Sequence, residues 1–173
     1  LPQARIPYAA GEIRVDGILN EPVWRRAARL TLRDNATGRK AAQATTARLL
    51  WTREFLYAAF DCKDTDISAS LAGRDDDLWR EEAVEIFLDP EGMGKEYLEI
   101  EVNPLGALYD AWIEYSPNID FDRAKKFNLK NISAAARAAD GRTGRTSGLT
   151  CEIAIPLDEL PAFIDRQRTE GRL

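Results

Sequence analysis

The stretch TTARLLWTREFLYAAFDCKD, residues 45–64, decides the fold. Apolar side chains occupy every second position up to Trp51 and again from Leu56 onward, with a polar turn between the two runs. Pairing Trp51 with Leu56 and Ala47 with Phe60 places both sets on one face of an antiparallel pair. The stretch therefore predicts a β-hairpin with a buried face.

Shorter segments on both sides of the hairpin repeat this alternation and are separated by turn residues. The further predicted strands are residues 83–88, 97–102, 109–114, 132–138 and 149–155. The alanines of 132–138 would also allow a helix. Pro22 and the apolar stripe that follows it predict one short helix over 22–28, capped by Asn20 or Glu21. Many short strands with one or two short helices indicate an all-β protein, an antiparallel β-sandwich of the immunoglobulin kind.

The composition is that of one globular domain covering residues 1–173. Hydrophobic residues make up 45% and charged residues 31% of the 173 positions, which is ordinary for a folded domain. No apolar run approaches the roughly 18 residues that a membrane-spanning helix needs. The net charge of −5 argues against a nucleic-acid partner, because phosphate binding needs clustered Lys and Arg. Histidine is absent, which removes the commonest general base and any Ser-His-Asp triad.

The chain ends and the two cysteines leave questions open. The sequence starts at Leu1 without an initiator Met or a signal-like apolar run and ends at Leu173 after a charged stretch, so we expect a piece of a longer protein. Cys62 and Cys151 are too few and too far apart for a zinc site. Both lie on the inward side of predicted strands, where they could form a disulfide or remain two buried thiols.

One predicted face combines carboxylates with aromatic rings. Keeping the apolar sides of 97–102 and 109–114 together places position 101 opposite 110 and position 99 opposite 112. The polar side then carries Tyr97, Glu99, Glu101, Asp110, Trp112 and Glu114, to which strand 83–88 adds Glu85. Carboxylates accept hydrogen bonds from sugar hydroxyls, and aromatic rings offer a platform to the C–H face of a pyranose. The pattern favours saccharide binding; the alternative is a solvated strand face.

The tryptophans divide into two kinds. Trp24 and Trp51 lie on periodic apolar faces and are predicted core residues. Trp79 lies in the polar run RDDDLWREE, where a core role is not expected. We interpret it as a stacking platform at the mouth of a site, the alternative being a loop side chain that plugs the end of the sandwich.

Acidic groups raise two further possibilities. Calcium takes oxygen ligands, and the candidates are Asp64, Asp66 and Asp75, although no EF-hand spacing is present and a solvated acidic loop is favoured. Paired carboxylates could also hydrolyse a glycosidic bond. The sequence gives no reason for any of these acids to be buried with a raised pKa, so catalysis is not predicted.

Five segments in this order resemble the family-9 carbohydrate-binding modules and their broader relatives. They are IRVDGILNEPVWRRA, ARLLWTREFLYAAFDCKDTDI, DDDLWREEAVEIFLDPEG, YLEIEVNPLGALYD and CEIAIPLDEL. The resemblance covers about residues 11–160, and 78–103 is its most specific part. It implies a β-sandwich that binds carbohydrate without catalysis, in secreted or periplasmic proteins of polysaccharide breakdown, often with calcium ions supporting the fold.

The resemblance also implies roles for individual residues. Sugar-binding members hold a sugar between two tryptophans, one of which corresponds to Trp79. The Glu of VEIF is Glu85, and the EVN strand supplies Glu101 and Asn103 as hydroxyl partners. The strand pattern adds Trp112 to this set.

The chain departs from those members in two respects. It has Glu101 where they have Arg, so the hydroxyl contacts would differ. Their second tryptophan comes from a C-terminal segment that would follow Leu173, so we expect this chain to lack its last segment, with a final core strand.

Two alternatives to a sugar-binding module follow from the same fold. The related DOMON-type domains hold haem in a similar sandwich, for which the axial ligands here would be Met93 or a lysine such as Lys95. The other is a structural module within a larger secreted enzyme, beside a catalytic domain.

Overall fold

The computed structural model describes residues 3–11, 13–139 and 147–160. Within these residues the chain forms two antiparallel sheets, in the strand order β1-β2-β3-β8-β7 and β4-β5-β6. The strands are β1 (Ala28–Thr31), β2 (Thr45–Trp51), β3 (Phe55–Cys62), β4 (Val84–Leu88), β5 (Glu96–Val102), β6 (Leu108–Glu114), β7 (Ser133–Ala138) and β8 (Leu149–Pro156). The predicted all-β sandwich is confirmed, and 132–138 forms a strand.

Helical structure is confined to single turns in the part of the chain that is described. Three 3-10 turns span Pro22–Arg26, Leu78–Arg80 and Leu157–Glu159, and helix α1 spans Phe121–Ala124. The first of these confirms the predicted short helix, with Glu21 at its N-cap. None of the described helices is long and apolar enough to cross a membrane.

The hairpin β2–β3 has the predicted register. Trp51 pairs with Leu56 and Ala47 pairs with Phe60. The prediction that Trp51 is a core residue is wrong, since its side chain is 40% exposed. It ends its strand, where it meets Tyr8 edge to face and donates from Nε1 to the carbonyl of Ile6 at 3.2 Å.

The main core lies between the two sheets. It contains apolar side chains from the inner faces of both, among them Ala58, Phe60, Leu98, Ile100, Cys151 and Ile153. Cys62 is half-buried and Cys151 is buried, and both are free thiols. The sequence left a disulfide or two separate thiols open, and in the structure these two cysteines are separate thiols.

A second core covers the outer face of the five-stranded sheet. There Trp24, only 3% exposed as predicted, packs with Leu50 and Tyr57. The buried carboxylate of Glu152 on β8 accepts hydrogen bonds from Trp24 Nε1 at 2.9 Å and from the backbone N–H groups of Asp16 and Gly17 at 3.0 and 2.9 Å. This carboxylate therefore fastens the N-terminal segment to the sheet.

The register of β5 with β6 differs from the prediction by one residue. Glu101 pairs with Tyr109 rather than with position 110, and Glu99 pairs with Ala111. A one-residue change moves every side chain of the strand to the opposite face. Asp110 and Trp112 consequently lie on the inner face, away from Glu85 and the two β5 glutamates.

Candidate functional site

The outer face of β4-β5-β6 is covered at one side and open at the other. Tyr109, Ala111 and Ile113 of β6 are buried under Leu78 and under Ala124 of α1. Three glutamates on β4 and β5 occupy the rest of this face, and we call Glu85, Glu99 and Glu101 the carboxylate row. Glu85 pairs directly with Glu101 across the two strands.

Trp79 stands beside the carboxylate row. In the turn Leu78–Arg80, Leu78 is fully buried, whereas the Trp79 side chain is 57% exposed. The Arg80 guanidinium lies 5.0 Å from the centroid of the Trp79 ring. The alternative in which Trp79 plugs the sandwich is therefore wrong, because its ring is mostly in solvent and Leu78 is the buried residue of this turn.

The Trp79 turn is held by an ion pair with α1. Asp77, directly before the turn, pairs with Lys125 and, at 3.1 Å, with Arg80. Lys125 Nζ also lies 5.5 Å from the centroid of the Tyr109 ring. The sequence does not single out Lys125, because its partners lie far from it along the chain. They are Tyr109 on β6 and Asp77, which is 48 residues earlier.

The carboxylate row runs from exposed to buried. Glu85 is exposed, Glu99 is half-buried and Glu101 is 0% exposed, with no hydrogen-bond partner for either of its carboxylate oxygens. Burial, followed by the neighbouring Glu99 and Glu85, raises the pKa of Glu101 to about 8, and this value includes a smaller opposing effect of the Trp79 backbone N–H. Burial also raises the pKa of Glu99. The expectation that no acid on this face is buried with a raised pKa is wrong.

Two aromatic side chains continue the face beyond Glu99. Phe87 pairs with Glu99 across the strands and is 54% exposed. Its ring centroid lies 5.7 Å from that of Tyr97. Along the sheet the face thus presents Trp79 and Glu85 near Glu101, then Phe87 beside Glu99, and then Tyr97.

Asn103 has a different environment from the one expected for a hydroxyl partner. Its side chain is 0% exposed and donates to the carbonyl of Leu71 at 2.6 Å. Its Oδ1 accepts from the backbone N–H groups of Leu105 and Ala107 at 3.1 and 3.0 Å. Asn103 therefore positions the β5–β6 turn and the adjoining loop rather than facing a ligand.

Trp112 is likewise separate from the carboxylate row. It packs against the inner core with its ring centroid 5.9 Å from that of Phe127, and its Nε1 donates to Glu96 at 3.3 Å. It lines a different cavity, of 390 Å³, together with Tyr115 and Arg123. Its assignment to the sugar-binding face is corrected by the observed β5–β6 register.

The acidic residues considered for calcium do not converge. Asp64 Oδ1 accepts from the N–H of Asp66 at 3.0 Å and from Gln43 at 2.9 Å. Asp75 instead lies 3.5 Å from Arg74, and its backbone N–H bonds to the carbonyl of Leu108. Among the described residues no three Cys, Asp or Glu side chains form a group that could hold a metal ion. The donor set does not fit the calcium ion that the sequence resemblance implied.

The candidate haem ligand has no cofactor environment around it. Met93 is 59% exposed in the turn between β4 and β5, next to the equally exposed Gly94 and Lys95. A haem ligand has to project into an enclosed apolar cavity. The haem alternative gains no support from this position.

An exposed tryptophan next to carboxylates can offer a ring to the C–H face of a sugar and acceptors to its hydroxyls. Residues 15–170 match the family model described as "Carbohydrate family 9 binding domain-like". The chain belongs to this family. No curated protein shows significant similarity to it.

Solved structures with the same fold agree with this assignment. A family-9 carbohydrate-binding module from Caldicellulosiruptor kristjanssonii in complex with cellotriose is 18% identical with a TM-score of 0.59, covering 87% of this chain and 66% of that one. A family-9 carbohydrate-binding module from the same organism, in complex with glucose, has 18% identity and a TM-score of 0.60, covering 90% of this chain and 70% of that one. A protein from Bacteroides uniformis has 15% identity and a TM-score of 0.59, covering 82% and 64%. The chain spans about two thirds of the length of these structures.

Proposed function

We propose that this domain binds a saccharide without transforming it, on the face formed by Trp79 and the carboxylate row. The Trp79 ring would stack on the C–H face of a pyranose. Glu85 and the half-buried Glu99 would accept hydrogen bonds from its hydroxyls. Glu101 would support them from behind, since it has no exposed surface.

The observation that carries this proposal is the exposure of Trp79. A tryptophan ring left 57% exposed keeps apolar area in water that a ligand can cover. The turn that presents it is fixed beneath by the buried Leu78 and at its side by the Asp77–Lys125 pair. A ring held in place in this way loses little conformational freedom on binding, which favours stacking.

The ligand class follows from the shape of the face and from the relatives. The Phe87–Tyr97 pair extends the aromatic surface beyond the carboxylate row, so a chain of two or more sugar units can be covered. The family-9 modules of known structure were solved with cellotriose and with glucose. Glucose oligomers are therefore the first ligands to test.

The same geometry supports a binding role rather than hydrolysis. Glu101 has the raised pKa of a general acid, but its carboxylate is fully buried. A general acid has to lie within hydrogen-bond reach of the glycosidic oxygen, and Glu101 is covered by the Trp79 turn.

Affinity electrophoresis in gels that contain soluble glucans tests the binding proposal. The wild-type protein should be retarded, Trp79→Ala should migrate as in a gel without glucan, and Tyr8→Ala should be retarded like wild type. Tyr8 is a suitable control because it is also exposed, at 52%, but packs on Trp51 of the other sheet. Equal retardation of Trp79→Ala and wild type would refute the proposed site.

We also propose that the domain acts outside the cytoplasm, as one part of a longer polysaccharide-degrading protein. The family assignment and its sugar-complexed members support this setting. Fractionation of cells that express the full-length gene, with detection by antibody, tests it. Recovery in the cytoplasmic fraction alone would contradict it.

A further inference from the structure

The carboxylate row carries negative charge that nothing in the described chain neutralises. Glu85 and Glu101 are direct cross-strand partners, and like charges in that position destabilise a sheet. No salt bridge among the described residues involves any of the three glutamates; the nearest cations pair elsewhere. Arg80 and Lys125 pair with Asp77, and Arg74 pairs with Asp110 and Asp75.

Glu101 adds an independent observation. Its side chain is 0% exposed and neither carboxylate oxygen has a hydrogen-bond partner. A buried carboxyl without partners costs free energy in the folded protein. Glu152, the other fully buried glutamate, has three N–H donors, so the fold can supply partners to a buried carboxylate. Glu101 makes no such bond, so its ionised form would be stabilised by a positive charge that arrives at the neighbouring, more exposed carboxylates.

We propose that the carboxylate row receives the ammonium group of a basic saccharide, such as an oligomer of glucosamine, an inference that rests on the proposed sugar-binding function. The exposed Glu85 and the half-buried Glu99 accept its N–H groups. Glu101 lies directly behind them, across from Glu85, and contributes charge. Trp79 stacks on the pyranose that carries the amine.

An ammonium group suits this row better than a hydroxyl or a metal ion. A hydroxyl brings no charge, so it would leave the negative charge of the row uncompensated on binding. A metal ion needs several ligands at fixed distances, and the described residues offer no such group. An ammonium offers three donors and a full positive charge without a fixed coordination geometry.

Binding of the amine should release a proton. Burial and the two neighbouring carboxylates raise the pKa of Glu101 to about 8, so at neutral pH the row holds a proton that the incoming positive charge displaces. The titratable groups that face Glu101 are Glu85 on β4, Glu99 on β5 and Tyr109 on β6. The Trp79 backbone N–H also lies beside Glu101. Tyr109 in turn faces Asp75, Asp77 and Lys125.

Calorimetric titrations at pH 6 and low salt test the inference with three tetrasaccharides of matched length. The glucosamine tetramer is charged, whereas the N-acetylglucosamine and glucose tetramers are neutral. We expect the glucosamine tetramer to bind at least tenfold more tightly than either neutral tetramer. Repeating the titration in two buffers of different ionisation enthalpy should show proton release for the charged ligand alone.

Two conservative variants assign the preference to the row. Glu85→Gln and Glu99→Gln should each lower the affinity for the glucosamine tetramer severalfold more than they lower the affinity for the glucose tetramer, because only the charged ligand loses a charge partner as well as a hydrogen-bond acceptor. Glu91→Gln is the control, because Glu91 is exposed in the β4–β5 turn and should change neither. Thermal melts of all three show whether each variant is folded.

The other outcomes overturn the inference in distinguishable ways. Equal affinity for charged and neutral tetramers would refute it and leave the proposed function standing. Binding of none of the three would refute the proposed function as well. A preference that survives in both variants would place its cause outside the row. If the glucosamine tetramer does not bind but calcium chloride does, the carboxylate row is a metal site. If an oligolysine peptide binds instead, the row is a protein-binding site. Either result would overturn the inference.

Discussion

Replacement of Glu101 by Gln should stabilise the protein increasingly as pH rises. The unfolded chain releases this proton near pH 4.5, whereas the folded protein holds it to about pH 8. Between these values the folded state binds the extra proton, so wild-type stability falls as pH rises. Below pH 4.5 both states are protonated and the stability contribution is fully present; above pH 8 it is lost.

The size of the effect follows from the two pKa values. Each pH unit between 4.5 and 8 removes about 1.4 kcal/mol, so the total loss is about 5 kcal/mol, of which about 4 kcal/mol falls between pH 5 and pH 9. Gln has the shape of the protonated acid and does not ionise, and therefore avoids this loss. The variant should match wild type near pH 5 and exceed it near pH 9 by about 4 kcal/mol, equivalent to roughly 10 °C in a domain of 173 residues.

Urea denaturation at intervals from pH 5 to pH 9 measures this difference. The difference between the two curves reports the titration of Glu101 together with its effect on the neighbouring Glu99, because the two carboxyls interact. Glu91→Gln, in an exposed turn, should follow the wild-type curve throughout. A Glu101→Gln curve parallel to wild type would refute the assignment of a buried, unpartnered carboxyl.

Further predictions concern the core, the aromatic face and catalysis. Glu152→Ala leaves three N–H donors without an acceptor and should destabilise by about 3 kcal/mol or more in urea unfolding; a variant as stable as wild type would show that these bonds contribute little. Thiol titration of the denatured, unreduced protein should find two free thiols, as the structure has for Cys62 and Cys151, and none would indicate a disulfide. Phe87→Ala should weaken binding of cellotriose more than binding of glucose, since its ring lies beside Glu99, further along the sheet from Trp79 than Glu85 and Glu101 are; equal losses by calorimetry would contradict that position. The protein should release no reducing sugar from xylan or cellulose, and release that disappears in Glu85→Gln would contradict a binding-only role.

The parts of the fold whose register is fixed by a turn were predicted correctly. In β2–β3 the polar turn and the period-two pattern specify the same register, and the observed pairs Trp51–Leu56 and Ala47–Phe60 agree. In β6 both faces are covered, because Tyr109 and Ile113 lie under the Trp79 turn while Trp112 faces the inner core. Alternation alone cannot tell which of two buried faces points to the other sheet.

The candidate site was predicted in part for a related reason. Trp79 was identified because an aromatic in a polar segment has no local explanation, and its exposure confirms that it is not a core residue. The burial of Glu101 depends on a turn more than 20 residues earlier in the chain folding over it, a tertiary contact that strand patterns do not report. Glu152 was missed because a glutamate on the polar side of a strand usually faces water.

Calorimetric titration of wild type and Trp79→Ala with cellotriose, beside thermal melts of both, tests the central claim most directly. Covering about 80 Å² of ring at about 25 cal/mol per Å² is worth about 2 kcal/mol, which is roughly a thirtyfold change in Kd. The account predicts this loss of affinity with a Tm within about 2 °C of wild type, because the ring is 57% exposed, and no loss for Tyr8→Ala. A Trp79→Ala protein that binds cellotriose as tightly as wild type, and melts far lower, would contradict it.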